Sequence, residues 1–202
     1  PVKTAIIEYP IVVPPLPGES ISLDFTVTAV NGKFQTITSS MLVANYKESK
    51  KGLFFANTYT SKNYAFYSSE KDALYGVNPN LATYYKRNID FYSISDGARE
   101  YFIYSPTDPE VVERLKGQGI TDYVLTEMRG TRMVKLEDIN FTKVKDKEIL
   151  AIDFTNTVTK IQVKKGDNIG FITEDGRKGI MNIVGASGRY IDFKCKTQTI
   201  PQ

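Results

Sequence analysis

The sequence predicts a mainly β protein of antiparallel, sandwich-like sheets, with one short helix in a connector. Two patterns carry that reading. Ile21, Leu23, Phe25 and Val27 alternate with Ser22, Asp24, Thr26 and Thr28, a period of two that puts apolar side chains on one face of a strand. Asp175-Gly176 and Asn31-Gly32 stand between strand-like runs, and such dipeptides supply the positive φ that tight hairpins need. Helical spacing, by contrast, is convincing in a single stretch.

Taken in order, residues 1–18 hold Pro10, Pro14, Pro15 and Pro17. Proline removes backbone donors and favours extended chain, so this reads as a tether or edge segment, with an irregular first strand over 5–13 as the equal alternative. Strand-like runs follow at 34–38, 41–46, 52–59 and 64–67, then a loop over 75–86 and further strands at 89–94 and 100–104. The helix is 108–117: Asp108 can cap it, Pro109 suits the first helical position, and Val111, Val112 and Leu115 form one stripe ending at Gly117. A weaker helix is expected over 134–139. Beyond it, Leu150, Ile152 and Phe154 alternate with polar neighbours, 170–173 and 179–184 flank the Asp-Gly turn, and 190–196 places Ile191, Phe193 and Cys195 on one face.

The two ends of the chain echo one another. Ser22-Leu23-Asp24-Phe25-Thr26 resembles Ala151-Ile152-Asp153-Phe154-Thr155, Gly52-Leu53-Phe54 resembles Gly170-Phe171-Ile172, and Asn88-Ile89-Asp90-Phe91 resembles Tyr190-Ile191-Asp192-Phe193. The order is the same in both halves, as two copies of a β-unit would require; alternating strands that merely share a composition would give a similar echo. The expected organisation is a tether over 1–18, a tyrosine-rich first β-unit over 19–105, a connector with the helix over 106–148 and a second β-unit over 149–202.

Composition narrows function more than it identifies it. With 202 residues, 41% hydrophobic and 24% charged, the chain can bury a core and is not of disordered composition. The formal net charge is +3, and the sign is balanced along the chain, which gives nucleic acid no special attraction. No apolar run approaches the ~18 residues of a membrane span. The chain starts at Pro1 rather than Met, as a mature or trimmed form would. A lone Cys195 excludes an internal disulfide and reads as a small buried hydrophobe.

There is no histidine, which removes Ser-His-Asp and Cys-His catalysis and His-ligated zinc together. Ser68-Ser69-Glu70-Lys71 has a Ser-x-x-Lys spacing but lacks the Lys-Thr-Gly and Ser-Asp-Asn elements that accompany it in serine acyl-enzymes. It reads as a polar loop. No Gly-containing run forms a phosphate loop, and no cofactor is implied. Asp24, Asp90, Asp153 and Asp192 fall between apolar neighbours and read as outward, solubilising positions; a carboxylate pair for glycan hydrolysis stays formally open. Lys143, Lys145 and Lys147 recur with period two, as on a solvated strand edge.

The most uneven feature is aromatic. Tyr59, Tyr64, Tyr67, Tyr75, Tyr84, Tyr85 and Tyr92 crowd the first half, and phenol rings can stack sugars or anchor a partner. Tyrosine is also an ordinary strand residue, and the absence of Trp weakens the sugar reading.

The run from Val163 through Gly170-Phe171-Ile172-Thr173-Glu174-Asp175-Gly176-Arg177-Lys178-Gly179 to Ile183, with Ile191-Asp192-Phe193 after it and Ile89-Asp90-Phe91 before it, resembles a segment of surface lipoproteins of gut Bacteroidetes. In those, a Gly-rich strand enters a Thr-x-Asp-Gly-Lys-x-Gly hairpin, and a strand ends in Ser-Pro as 101–106 does here. The resemblance covers most of 20–200 and marks a fold; the family has no assigned function. It implies export, a lipid anchor upstream of Pro1 and a sandwich-like β architecture. The expected function is therefore a non-catalytic extracytoplasmic binding or adhesion protein of the cell envelope, with a glycan or an envelope protein as partner and contact with the membrane only through that anchor. A structural accessory module and a carboxylate-dependent glycan hydrolase are the alternatives.

Overall fold

The computed structural model describes residues 20–42, 46–54, 64–76, 87–95, 100–117, 128–188 and 190–199. The expected tether over 1–18, and Tyr59, Tyr84 and Tyr85, lie outside them. The chain divides into two compact units, residues 1–45 and 46–202.

The first unit is a hairpin of β1 (Ser20–Thr28) and β2 (Phe34–Leu42), antiparallel with Phe25 opposite Ile37 and Thr26 opposite Thr36. Its turn follows from Asn31-Gly32. The Gly32 amide donates to the Ala29 carbonyl with Gly32 at φ 78°, a backbone state that costs glycine little. One face is polar, with Thr26 hydrogen-bonded to Thr36 and Thr38 to Asp24. Phe25, Val27 and Ile37 share the other and are exposed.

The second unit holds two five-stranded antiparallel sheets. One runs β3 (Tyr46–Phe54), β12 (Tyr190–Gln198), β11 (Lys178–Ser187), β10 (Asn168–Thr173) and β8 (Thr131–Leu136). The other runs β5 (Ala73–Gly76), β4 (Tyr64–Ser68), β6 (Phe91–Ser95), β7 (Tyr101–Tyr104) and β9 (Lys160–Gln162). They pack face to face as a sandwich. Tyr67, Phe91 and Ile103 of the second sheet join Phe171, Ile183 and Phe193 of the first in one buried cluster, with edge-on ring contacts between Tyr67 and Phe193 (4.8 Å) and between Phe91 and Phe171 (4.9 Å). Edge-on packing suits the ring quadrupoles.

Both outer faces are covered as well. The helix Pro109–Gly117 lays Val111 and Leu115 on Phe66, Ile89, Tyr92 and Tyr104. As the sequence predicts, Asp108 caps it: its Oδ1 accepts the Glu110 amide at 3.0 Å. On the other sheet, a 3-10 turn (Phe141–Lys143) and a short helix (Asp146–Leu150) set Phe141, Val144 and Ile149 against Ile180. Lys196 fixes this cover from below, its buried Nζ donating to the carbonyls of Phe141 (3.0 Å) and Val144 (2.7 Å). Among the described residues no helix is long and apolar enough to cross a membrane.

Several expectations are corrected. The residues 134–139 are not helical; Thr131–Leu136 is β8, with Thr131 and Met133 buried and Arg132 exposed, the alternation of a strand. The residues 150–155 are not a strand, because Asp153 Oδ1 accepts both the amide and the hydroxyl of Thr155, a local turn that competes with a ladder. Lys143 and Lys147 sit in helical turns, and Lys145 stands at the N-cap position of the second, its amide donating to Glu148 Oε2 at 2.8 Å. Strands from 19–105 and 149–202 share sheets, β3 beside β12 and β7 beside β9. Asp90 is not outward: it is fully buried.

Candidate functional site

One edge of the sandwich brings the two sheets together. The amide of Met133 in β8 donates to the carbonyl of Val158, and that of Val158 to Met133, both at 2.9 Å. Next to this bridge lies a pocket of about 380 Å3, in the size range of small-molecule sites. Its walls come from the end of β7 (Ser105, Thr107), the start of β8 (Gly130, Thr131, Arg132), the approach to β9 (Thr159) and the tip of the β10–β11 hairpin (Ile172, Thr173, Glu174, Gly176).

Five of the ten lining residues carry hydroxyls, which the fold orients. Ser105 Oγ accepts the Thr131 amide at 2.9 Å and pairs with Thr107 Oγ1 at 2.9 Å. Thr159 Oγ1 donates to the capping residue Asp108 at 2.6 Å, tying the pocket to the helix N-terminus. Thr173 Oγ1 accepts the Arg177 amide at 3.1 Å. Thr131 differs: it is 1% exposed, and its Oγ1 has no hydrogen-bond partner. A buried hydroxyl left in that state costs about 1–3 kcal/mol.

The hairpin tip is set by its sequence. The amide of Gly176 donates to the Thr173 carbonyl and that of Thr173 to the Arg177 carbonyl, closing a three-residue loop with Gly176 at φ 86°. Glu174 Oε2 accepts the Gly130 amide at 2.6 Å. Farther back, Gly179 carries no side chain because a Cβ there would stand 2.2 Å from Phe171 Cζ.

Behind this tip lies a charged network drawn from four distant segments. Arg129 donates to Asp175 Oδ2 (2.6 Å), Glu70 Oε2 (3.1 Å) and Asn88 Oδ1 (3.1 Å). Arg177, 2% exposed, donates through Nε to both Asp175 oxygens at 3.1 Å, and its Nη2 stands 3.6 Å from Glu70. Asp90 Oδ2 accepts the amide and hydroxyl of Ser69 at 2.8 and 2.6 Å. Burial pushes the Asp90 carboxyl above the usual carboxylate range, against the pull of Ser69 and Arg177. Burial also acts on Glu70 and Asp175, but there it is outweighed: Lys71, Arg177 and Arg129 hold Glu70 below that range, and Thr173 with the two arginines does so for Asp175.

Two of the candidate tyrosines are core residues. Tyr67 is sealed between the sheets, its phenol bonded to Ser49 (2.7 Å) and Asp72 (3.1 Å), and Tyr92 is sealed under the helix. Neither can stack a ligand. Tyr75 is half-buried against the cluster beneath the helix, Tyr64 starts β4, and the other three lie outside the described residues. Strands covered on both faces explain this, since adjacent Phe66-Tyr67 and Phe91-Tyr92 are both core. Ser68 Oγ accepts the Lys71 amide at 3.1 Å, so the Ser-x-x-Lys spacing shapes a turn. Cys195 is buried, and its thiol is pushed up to about 12 by that burial. Among the described residues no group of three or more Cys, Asp or Glu is placed to hold a metal ion. The pocket itself went unseen in the sequence, apart from the Asp-Gly hairpin that forms one wall.

No family model matches the chain, and no curated protein is similar to it. Among solved structures, a DUF4466 family protein from Parabacteroides merdae shares the fold, with a TM-score of 0.58 at 16% identity over 90% of this chain. The chain spans 63% of the length of that protein. The likeness is one of fold, to a protein from the Bacteroidetes.

Proposed function

We propose that this chain is a non-catalytic, extracytoplasmic binding protein of the cell envelope, and that its site is the hydroxyl-lined pocket beside the Met133–Val158 bridge. The observation that carries the reading is the Thr131 hydroxyl, buried at the pocket wall without a partner. A fold tolerates such a group where a ligand completes it. Binding is favoured over hydrolysis by the acids available. Asp90, the carboxyl with the raised pKa, is fully buried and is not among the pocket's lining residues, whereas a glycosidase needs two carboxyls facing the substrate.

The envelope assignment rests on the resemblance to surface lipoproteins and is supported by the fold shared with a Bacteroidetes protein. The test is a thermal-shift screen of polar metabolites and glycans on the full chain beside Gly130→Leu. A Cβ at Gly130 meets Thr107 Oγ1 at 3.5 Å and Glu174 Oε2 at 3.8 Å, ordinary contact, so a side chain can start there, and leucine is chosen to occupy the pocket. Ligands that raise the melting temperature of the wild type and not of Gly130→Leu are expected. Equal shifts in both proteins would remove the pocket from consideration.

A further inference from the structure

The charge and chemistry of the walls say what the pocket takes. We infer that its ligand is a neutral polyhydroxylated molecule, a single sugar unit or the end of a glycan, held by hydrogen bonds to its hydroxyls rather than by a stacked ring. This deepens the binding reading above and rests on it.

Three features point the same way. First, the lining carries one cation, Arg132, and one anion, Glu174, so it offers no net charge to an ionic ligand. The arginines that could have made it an anion site, Arg129 and Arg177, are already matched by Glu70 and Asp175. Second, the lining contains no aromatic side chain, which leaves ring stacking no platform. Third, the uncharged polar side chains of the lining are hydroxyls, each both donor and acceptor, and those of Thr107 and Thr159 are exposed. Thr159 Oγ1 gives its proton to Asp108 and keeps its lone pairs. The Ser105–Thr107 pair shares one donor between two oxygens and leaves the other proton over. Thr131 Oγ1, buried at the same wall, has no partner. A vicinal diol, donor and acceptor at once, matches this arrangement; a carboxylate or an ammonium satisfies only half of it.

The test is ligand-observed NMR on the full chain with D-glucose, D-galactose, D-mannose and N-acetyl-D-glucosamine. D-galacturonate and glycine serve as ionic competitors, and Thr131→Val is run beside the wild type. Valine keeps the shape and removes the hydroxyl, so the variant should melt no lower than the wild type while losing about tenfold in affinity for the neutral sugar. Thr159→Val, at the exposed rim, should weaken binding in the same direction and serves as the readout should Thr131→Val fold poorly. Binding of galacturonate or glycine in place of the neutral sugars would overturn the ligand class while leaving the pocket as a binding site. A neutral sugar held equally by wild type, Thr131→Val and Thr159→Val would overturn the inference. Binding of none of the probes, together with no pocket-dependent shift in the thermal screen, would overturn both readings.

Discussion

Asp90 Oδ1 and Arg177 Nη2 stand 3.9 Å apart in the interior, and neither atom has a hydrogen-bond partner. Each residue is anchored elsewhere, Asp90 to Ser69 and Arg177 to Asp175. The pair is close enough for charge to matter and too far apart for a direct bond.

A pH signature follows from this arrangement. The folded pKa of Asp90 is raised above its ordinary value of 3.8, so the folded protein holds that proton more tightly than the unfolded chain does. Stability from this group is fullest below pH ~4 and falls as pH rises through the folded pKa. Glu70 and Asp175, whose pKa values are lowered, work with the opposite sign and lose their contribution only as pH falls below about 4. Asp90→Asn retains an oxygen acceptor for Ser69 and removes the titration. Calorimetric melting between pH 4 and 7 should show a flatter stability profile for the variant; an unchanged slope would mean that Asp90 does not titrate in that window.

Arg177→Met should be far more damaging than Asp90→Asn. It leaves Asp175, Glu70 and Asp90 with one fewer cation in a buried setting, and removing one partner from such a network costs about 3–5 kcal/mol. Urea denaturation should show the unfolding free energy falling by that amount, through a lower midpoint at unchanged slope.

Gly179→Ala is expected to destabilise by about 1–3 kcal/mol, because the new Cβ would lie 2.2 Å from Phe171 Cζ and 2.7 Å from the Lys196 carbonyl. Phe171→Leu relieves the first clash and not the second. The double mutant should therefore be more stable than the sum of the single losses, a coupling that a double-mutant cycle measures directly.

Lys196→Met should cost about 1–3 kcal/mol by taking the buried Nζ donor from the Val144 carbonyl and leaving the Phe141 carbonyl only the Val144 amide. The loss is local to the cover of the β3-containing sheet. Amide exchange over 141–152 should accelerate more than exchange in β10.

Cys195 should be silent toward thiol reagents in the native state, being sealed and held protonated with a pKa near 12. Its reaction rate with an aromatic disulfide should follow denaturant concentration as unfolding does. Rapid labelling in buffer alone would contradict its burial.

What was legible in the sequence was local. The Asn31-Gly32 and Asp175-Gly176 turns and the Asp108-capped helix were each set by residues within a few positions of one another, and each stands as read. What failed depended on distant partners. Asp90 looks outward by alternation, yet it is covered because Ser69 and Arg177 converge on it from other segments. Tyr67 and Tyr92 looked like a ligand surface because a strand covered on both faces loses the period that separates inside from outside. The pocket combines hydroxyls from positions 105 to 173, residue types too common to stand out until the fold assembles them.

The pairing of β3 with β12 has a consequence for how the molecule is made. The first strand of the larger unit finds its neighbour in the last, with Tyr46 opposite Gln198. Contacts so remote in sequence slow folding, because the loop must close before the contact rewards it. However the chain is delivered, this sheet cannot close until β12 is available to pair with β3. Until then β3 presents an unpaired backbone edge, the kind of surface that recruits other chains. A chaperone or holding factor would thus meet this unit at β3, and would be released when β12 pairs with it.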